Sequence, residues 1–381
     1  MQKPYHPGFT LKLSCLFAAG VILSGTFECA AAAEAKIYGQ INQALQFTAN
    51  HGETANRTQM LSGFSGGSRF GIDVSERLTD TLLLKARLEN GFTSDDGAFV
   101  TDGTLFSRQS TVALKSSRYG EFAVGRSGKV LSGASGYTRI GGFLPFHVLW
   151  GDAGLLFYGK GARMDNALFY QSPTLGGFTF LSSASLSTSG DEVSPWRENQ
   201  RYIGASLDFK AEHFGFLIGL ERTEIPHSEK ADGSASPTTA MLMAYADAGV
   251  VRLFGALQAG ENLDRLSALK AYKVNGRTLK VTGVSARNIM LGAKAPLAGG
   301  TLRASVLYSR NTNDGNFVRF DTDRADYWAL GLGYDYNLSK RTNVFAAVSH
   351  LEGRHALKNA SREGDGDIDR TSFTLGIQHK F

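Results

Sequence analysis

Arg69, Lys85 and Arg87 fall on one row with Asp73 and Glu89, alternating with apolar Phe70, Ile72, Leu84 and Leu88. Charges fixed along a water-facing row between low-dielectric walls do electrostatic work, concentrating ions of the opposite sign. The competing reading is pairwise neutralisation, with acids and bases cancelling and no net effect on passing ions. Other chemical signals are weaker. Gly63-Phe64-Ser65-Gly66-Gly67 fits the nucleophile pattern G-x-S-x-G, but that motif needs a strand-to-helix elbow, and the residues after Gly67 alternate like a strand. The stretch 154–161 approaches a phosphate-cradling loop through Gly159-Lys160, yet Gly161 stands where Ser or Thr is required. Asp365, Asp367 and Asp369 are spaced like the opening of a calcium loop, without its Gly at position six or its Glu at position twelve. A solvated acidic loop is expected there, with loose cation binding as the alternative. The 8 His show no metal-ligand spacing. The sequence therefore implies no catalytic residue, no cofactor and no metal site.

The elements that must carry the charged row are strands. From residue 36 onward the dominant period is two: Ile37, Ile41, Leu45 and Phe47 share a parity against Lys36, Gln40, Asn42 and Gln46. At the other end Phe373, Leu375, Ile377, His379 and Phe381 form one row against Thr374, Gly376, Gln378 and Lys380. The pattern predicts 16 strands, at about 36–49, 67–77, 81–93, 107–116, 119–126, 163–172, 177–188, 200–210, 213–223, 238–247, 250–261, 284–295, 300–311, 325–337, 341–352 and 370–381. No capped helix is expected. The connections alternate between short turns and long loops, the long ones near 50–66, 94–106, 127–162, 189–199, 224–237, 262–283, 312–324 and 353–369.

Lys3 and Lys12 flank an apolar run that leads to Ala30-Ala31-Ala32-Ala33, the arrangement of a cleaved export signal over residues 1–33. Both cysteines, Cys15 and Cys29, lie inside it, so the mature chain of 34–381 would contain no disulfide and no thiolate metal site. No later stretch approaches the ~20 consecutive apolar residues of a spanning helix. A net charge of +5 over 381 residues is too mild for a nucleic-acid binder.

These features meet in one architecture. An all-β, 16-stranded antiparallel transmembrane β-barrel has an even strand number, short turns at one end, long loops at the other, and strands alternating apolar-out and polar-in. Backbone groups in hydrocarbon must be paired, so a sheet spans a membrane only when it closes. A soluble sandwich would not need hairpins whose ends are alternately short and long.

Several segments resemble the general diffusion porins of Gram-negative outer membranes. They are Ile37-Tyr38-Gly39, Ser68-Arg69-Phe70-Gly71, Leu88-Glu89-Asn90-Gly91-Phe92, Phe106-Ser107-Arg108-Gln109, the run from Tyr119 to Arg126, Tyr170-Gln171-Ser172-Pro173, and the end Leu375 to Phe381. The resemblance implies a homotrimer of water-filled channels, each narrowed by a constriction loop folded into the lumen. It also implies that the strand ending in Phe381 is read by the outer-membrane assembly machinery, and that outer-membrane lipids surround the barrel. By family position it adds Arg108 and Arg126 to the lining, alongside Arg69, Lys85, Arg87 and Glu89. In the family, acidic loop residues face basic wall residues. Here the loop at 127–162 carries Asp152 as its only carboxylate, with Lys129, Arg139 and Lys160 and an apolar run at 143–150. That run is expected to pack against the inner wall, with a greasy lumen patch or a trimer contact as alternatives.

The expected function is passive diffusion of small hydrophilic solutes and ions through an outer-membrane pore, with weak anion preference. A substrate-specific channel, a barrel enzyme and a plugged adhesin-like barrel are the alternatives.

Overall fold

The computed structural model describes residues 33–381 except 135, 148–149, 155–157, 160, 191, 232–233, 267, 315–321 and 364–365. Apart from Ala33, the expected export signal lies outside the described residues. The chain then runs β1 (Glu34–Asn50), β2 (Arg57–Ser62), β3 (Arg69–Thr79), β4 (Leu82–Gly91), β5 (Gln109–Ser116) and β6 (Gly120–Gly128). A long loop leads to β7 (Arg163–Gln171), β8 (Phe178–Ser185), β9 (Arg201–Lys210) and β10 (Phe214–Glu224). One short helix, α1 (His227–Ala231), precedes β11 (Thr238–Ala248) and β12 (Val251–Glu261). Next come β13 (Tyr272–Val274), β14 (Arg277–Thr278), β15 (Ser285–Leu297), β16 (Gly300–Thr312), β17 (Ala325–Asn337) and β18 (Thr342–His355). The last elements are β19 (Ser361–Arg362), β20 (Gly366–Asp367) and β21 (Arg370–Lys380).

The long strands pair antiparallel with their sequence neighbours, and β21 closes onto β1 from Gln40↔Lys380 to Asn50↔Arg370. The result is a closed 16-stranded antiparallel barrel. Short β13, β14, β19 and β20 form a separate small sheet among the long loops.

One expectation needs correction. Residues 50–66 are not all loop: β2 lies there, pairing with the upper half of β1 (Gln43↔Ser62 to Thr48↔Arg57) while β3 pairs with the lower half (Glu34↔Ser75 to Gln40↔Arg69). The second stave is thus one strand broken by residues 63–68. The one α-helix among the described residues, α1, is a single five-residue turn in the loop after β10.

Alternation explains the rows. In β11, Thr239, Met241, Met243 and Tyr245 point inward and are buried, while Leu242 points out and is 46% exposed. In β1, outward Ile41, Leu45 and Phe47 are exposed and inward Gln40, Asn42, Gln46 and Thr48 are buried. This inverts the soluble pattern. Lipid takes the apolar row, worth roughly 1.5–3 kcal/mol per Leu or Phe removed from water. Near the short turns, outward Phe178, Phe209, Phe214 and Phe216 cluster at centroid distances of 4.6–6.3 Å. Such aromatic girdles sit at membrane interfaces. The inner row is polar along β1 and turns apolar where the folded loop packs on it, as at Tyr245 against Phe143.

Candidate functional site

The charged row is built across β3 and β4. Register sets Asp73 opposite Arg87 and Ser75 opposite Lys85, all on the inner face. Arg87 grips Asp73 bidentately, at 2.5 Å from Nε and 2.7 Å from Nη2. Lys85 donates to both carboxylate oxygens of Glu121 on β6, at 2.8 and 3.0 Å. Glu89, 3% exposed, is the hub. Arg108 Nε donates to it at 2.7 Å, the Tyr38 hydroxyl at 2.9 Å, and Arg69 Nε lies 3.3 Å away. Arg108 immediately precedes β5, where strand parity no longer governs the side chain, and the chain turns it onto Glu89.

Arg126 is placed elsewhere. It continues the row of exposed Phe122 and Val124 on β6, opposite Ser110. The register shift between Gly125 and Ser127 puts the extra residue on β7, and Arg126 pairs there with Asp165 and donates to the Ser107 carbonyl. Arg163 completes the group, donating to the carbonyls of Arg108 at 3.1 Å and Gly161 at 3.3 Å. No carboxylate pairs with it among the described residues. The charge cluster of Arg69, Arg108, Arg163 and Glu89 therefore carries a net positive charge.

The described residues of the loop between β6 and β7 fold into the lumen and pack along the inner wall. Phe143, Leu144, Phe146 and Trp150 are all buried. Phe143 meets Tyr245 of β11 at 5.5 Å. Trp150 packs on Phe146, on Phe345 of β18, and on Phe64 from the break in the second stave, at 5.2, 5.6 and 5.8 Å. Phe64 and Phe345 stack 5.7 Å apart and nearly parallel. The wall makes room with Gly333, where an added Cβ would stand 2.7 Å from Phe146 and 2.9 Å from Trp150. Arg303 donates to the Pro145 carbonyl at 2.9 Å. The apolar run is thus loop-to-wall packing; its Val148 and Leu149 lie outside the described residues.

Asp152 does not face the arginines. It takes a bidentate contact from Arg370 of β21, at 2.7 and 2.9 Å, both residues being buried. The loop base Arg139 is likewise paired, with Asp208 at 2.6 and 3.0 Å. Tyr137 donates to Glu121 at 2.7 Å and stacks on Phe169. A cavity of about 440 Å³ opens here, lined by Asp73, Lys85, Arg87, Glu121 and Tyr137 among others.

His147 projects from the anchored run with its surface open to the lumen. Its pKa is pushed down to about 4, first by enclosure within the barrel and then by the charges of Arg69 and Arg108. The imidazole is therefore neutral at pH 7. Wall and loop face each other here, bases on one side and an uncharged ring on the other. Sequence reasoning passed over His147, inside an apolar run, and gave Arg163 no electrostatic role.

The remaining motifs resolve into structure. Ser65 Oγ lies 2.5 Å from Asn42 Nδ2 and 3.4 Å from Gln378 Oε1, and β3 follows it rather than a helix. Lys160 and Asp365 lie outside the described residues. Asp367 accepts from Gly52 N at 2.8 Å and from the Thr54 hydroxyl at 2.5 Å, holding the turn after β1. Among the histidines, His51 and His350 come together with Asp369 on the outside of the barrel.

A sequence profile described as Gram-negative porin matches residues 18–356. An outer membrane porin protein of Bordetella pertussis is 27% identical over 372 residues, covering 91% of this chain and 89% of its own length. Outer membrane porin protein 32 of Delftia acidovorans is 28% identical, covering 83% of this chain and 89% of its own. Among solved structures, an anion-selective porin from Comamonas acidovorans superposes with a TM-score of 0.68 at 21% identity, covering 92% of this chain and all of that one. The trimer form of OmpT from Vibrio cholerae superposes at 0.59 with 15% identity, covering 92% and 100%. These structures share the fold, and the profile spans most of the barrel. The chain belongs to the Gram-negative porin family and is a channel protein of the outer membrane.

Proposed function

We propose that this porin is a general diffusion pore with a preference for anions, narrowed where His147 of the folded loop faces Arg69 and Arg108. One observation carries the reading: the loop's only carboxylate, Asp152, is committed to Arg370 on the wall and does not oppose the arginines. The field at the narrowing then comes from the Arg69, Arg108 and Arg163 cluster, with Glu89 as its acid among the described residues. Lys85 and Arg87, matched one-to-one by Glu121 and Asp73, line the wall beside it and add little net charge. Arg126, paired with Asp165, supports the start of β5. The Comamonas porin, called anion-selective, supports the same reading by its likeness.

Homotrimer assembly is part of this proposal, supported by the trimeric form of a structural neighbour. So are removal of residues 1–33 during export, consistent with β1 starting at Glu34, and delivery to the membrane through the β21 end at Phe381. Zero-current potentials across a planar bilayer under a KCl gradient test the selectivity. Anion preference is expected; a clear cation preference overturns it. Large ohmic single-channel currents are expected of a diffusion pore, whereas saturation by one solute class would favour the substrate-specific reading.

A further inference from the structure

We propose that His51, His350 and Asp369 form a binding site for one divalent transition-metal ion on the outer face of the barrel, at the seam where β1 and β21 close. The three residues come from distant parts of the sequence and meet because β21 lies between β1 and β18. Register places Ala49 and His350 on either side of Thr371, and the His51 amide donates to the Asp369 carbonyl at 3.0 Å, extending the ladder one step beyond β1. All three side chains continue the outward row of Phe47, Val348 and Phe373, which are exposed. They sit beyond these apolar residues, at the long-loop ends of their strands, so the site borders the membrane at the outer rim.

The donor atoms already converge. One ligand atom from each residue lies within 4.8 Å of the other two. His51 Nε2 and His350 Nδ1 each stand 3.0 Å from the Thr371 hydroxyl oxygen. The two rings meet edge-on at 5.9 Å, and Trp328 of β17 packs on His350 at 5.2 Å, restricting its rotation. Metal–nitrogen and metal–oxygen bonds of ~2.0–2.2 Å bring donors to about 3.4 Å from one another. Side-chain rotation closes that gap while three hydrogen-bonded strands hold the backbone.

The donor set defines the ion. Two imidazoles and one carboxylate suit zinc, nickel, copper or cobalt, with water in the remaining position. Calcium and magnesium need a shell of oxygens, and this cluster offers one carboxylate. Ligation joins the first strand to the last two, stapling the chain at its point of closure. The Thr371 hydroxyl bridges the imidazoles without metal and becomes dispensable with it.

Isothermal titration of the untagged, detergent-solubilised full chain with ZnCl2 tests the site. One zinc ion per chain is expected, with no binding of CaCl2 at the same concentration. His51→Ala and His350→Ala should each weaken zinc binding ~10-fold or more, since even partners that only orient a metal ligand are worth that much. Thr371→Val should bind zinc as tightly as the parent, which separates a metal site from a hydroxyl-bridged structural pair. Should the alanine variants fail to fold, cobalt(II) on the parent chain gives the second readout: the intense visible band of four-coordinate cobalt is expected. Absence of zinc binding, histidine variants that bind equally well, or only the spectrum of hydrated cobalt would overturn the proposal.

Discussion

Replacing Arg69 by Gln tests whether the basic cluster sets ion selectivity. The substitution removes one positive charge and leaves Glu89 held by Arg108 at 2.7 Å and Tyr38 at 2.9 Å, so no buried carboxylate is orphaned. An ion passing ~5 Å from the guanidinium feels about 0.8 kcal/mol at the dielectric constant of water. At 0.1 M salt the Debye length of ~10 Å leaves about 0.5 kcal/mol of that. The anion loses this attraction while the cation loses an equal repulsion, a contrast of ~1 kcal/mol, or about fivefold in permeability ratio. Zero-current potentials of Arg69→Gln in planar bilayers should report that fivefold fall. Glu89→Gln, which removes the acid of the same cluster, should report a comparable rise. Both shifts should shrink at 1 M salt, where the Debye length is ~3 Å. Unchanged potentials in both variants at low salt would mean that permeating ions do not sense this cluster, and the electrostatic argument would fail.

Further outcomes follow from the loop and its anchors. Asp152→Asn removes the carboxylate that the buried Arg370 grips bidentately, and breaking such a pair costs up to about 3–5 kcal/mol; a lower thermal midpoint and noisier single-channel currents are expected, against no change if the contact is incidental. His147 titrates near pH 4 in the folded chain, below its ordinary 6.5, so the unfolded chain takes the proton first. Its contribution to stability is complete above pH 6.5 and is lost as the pH falls toward 4; the melting temperature of His147→Gln should decline less between pH 7 and pH 5 than the parent's. Gly333→Val drives a side chain against Phe146 and Trp150 and should push the loop into the lumen, lowering conductance. Gly141→Ala, which meets nothing within 4 Å, serves as its control.

The barrel was legible in the sequence because lipid on one side and water on the other impose a period of two. Ile41, Leu45 and Phe47 against Gln40, Asn42 and Gln46 need no partner to be recognised. β2 escaped because its six residues, Arg57 to Ser62, form only half a stave and are separated from β3 by a glycine-rich break. The candidate site was legible only in part. Parity found Arg69, Lys85, Arg87 and Glu89, yet which acid meets which base depends on register. Arg126 lies on the row of exposed Phe122 and Val124, and its acid, Asp165, is presented by an irregularity of β7 that no alternation marks. Asp152 was visible as a lone loop carboxylate, but its partner lies 218 residues away. His51 and His350 are brought together only by closure of the sheet, which no local spacing records.

The loop's anchors also fix an order of events. Trp150 rests on Phe64 from the beginning of the chain and on Phe345 near its end, while Asp152 holds Arg370 on the last strand. These are contacts of high sequence separation, which form late because the intervening chain must first be organised. The part of the docking surface that receives Trp150 and Asp152 does not exist until the first and last strands are together. Seating of Trp150 and Asp152 therefore follows closure of the barrel, and a variant that leaves the seam open would lose this end of the loop's anchorage.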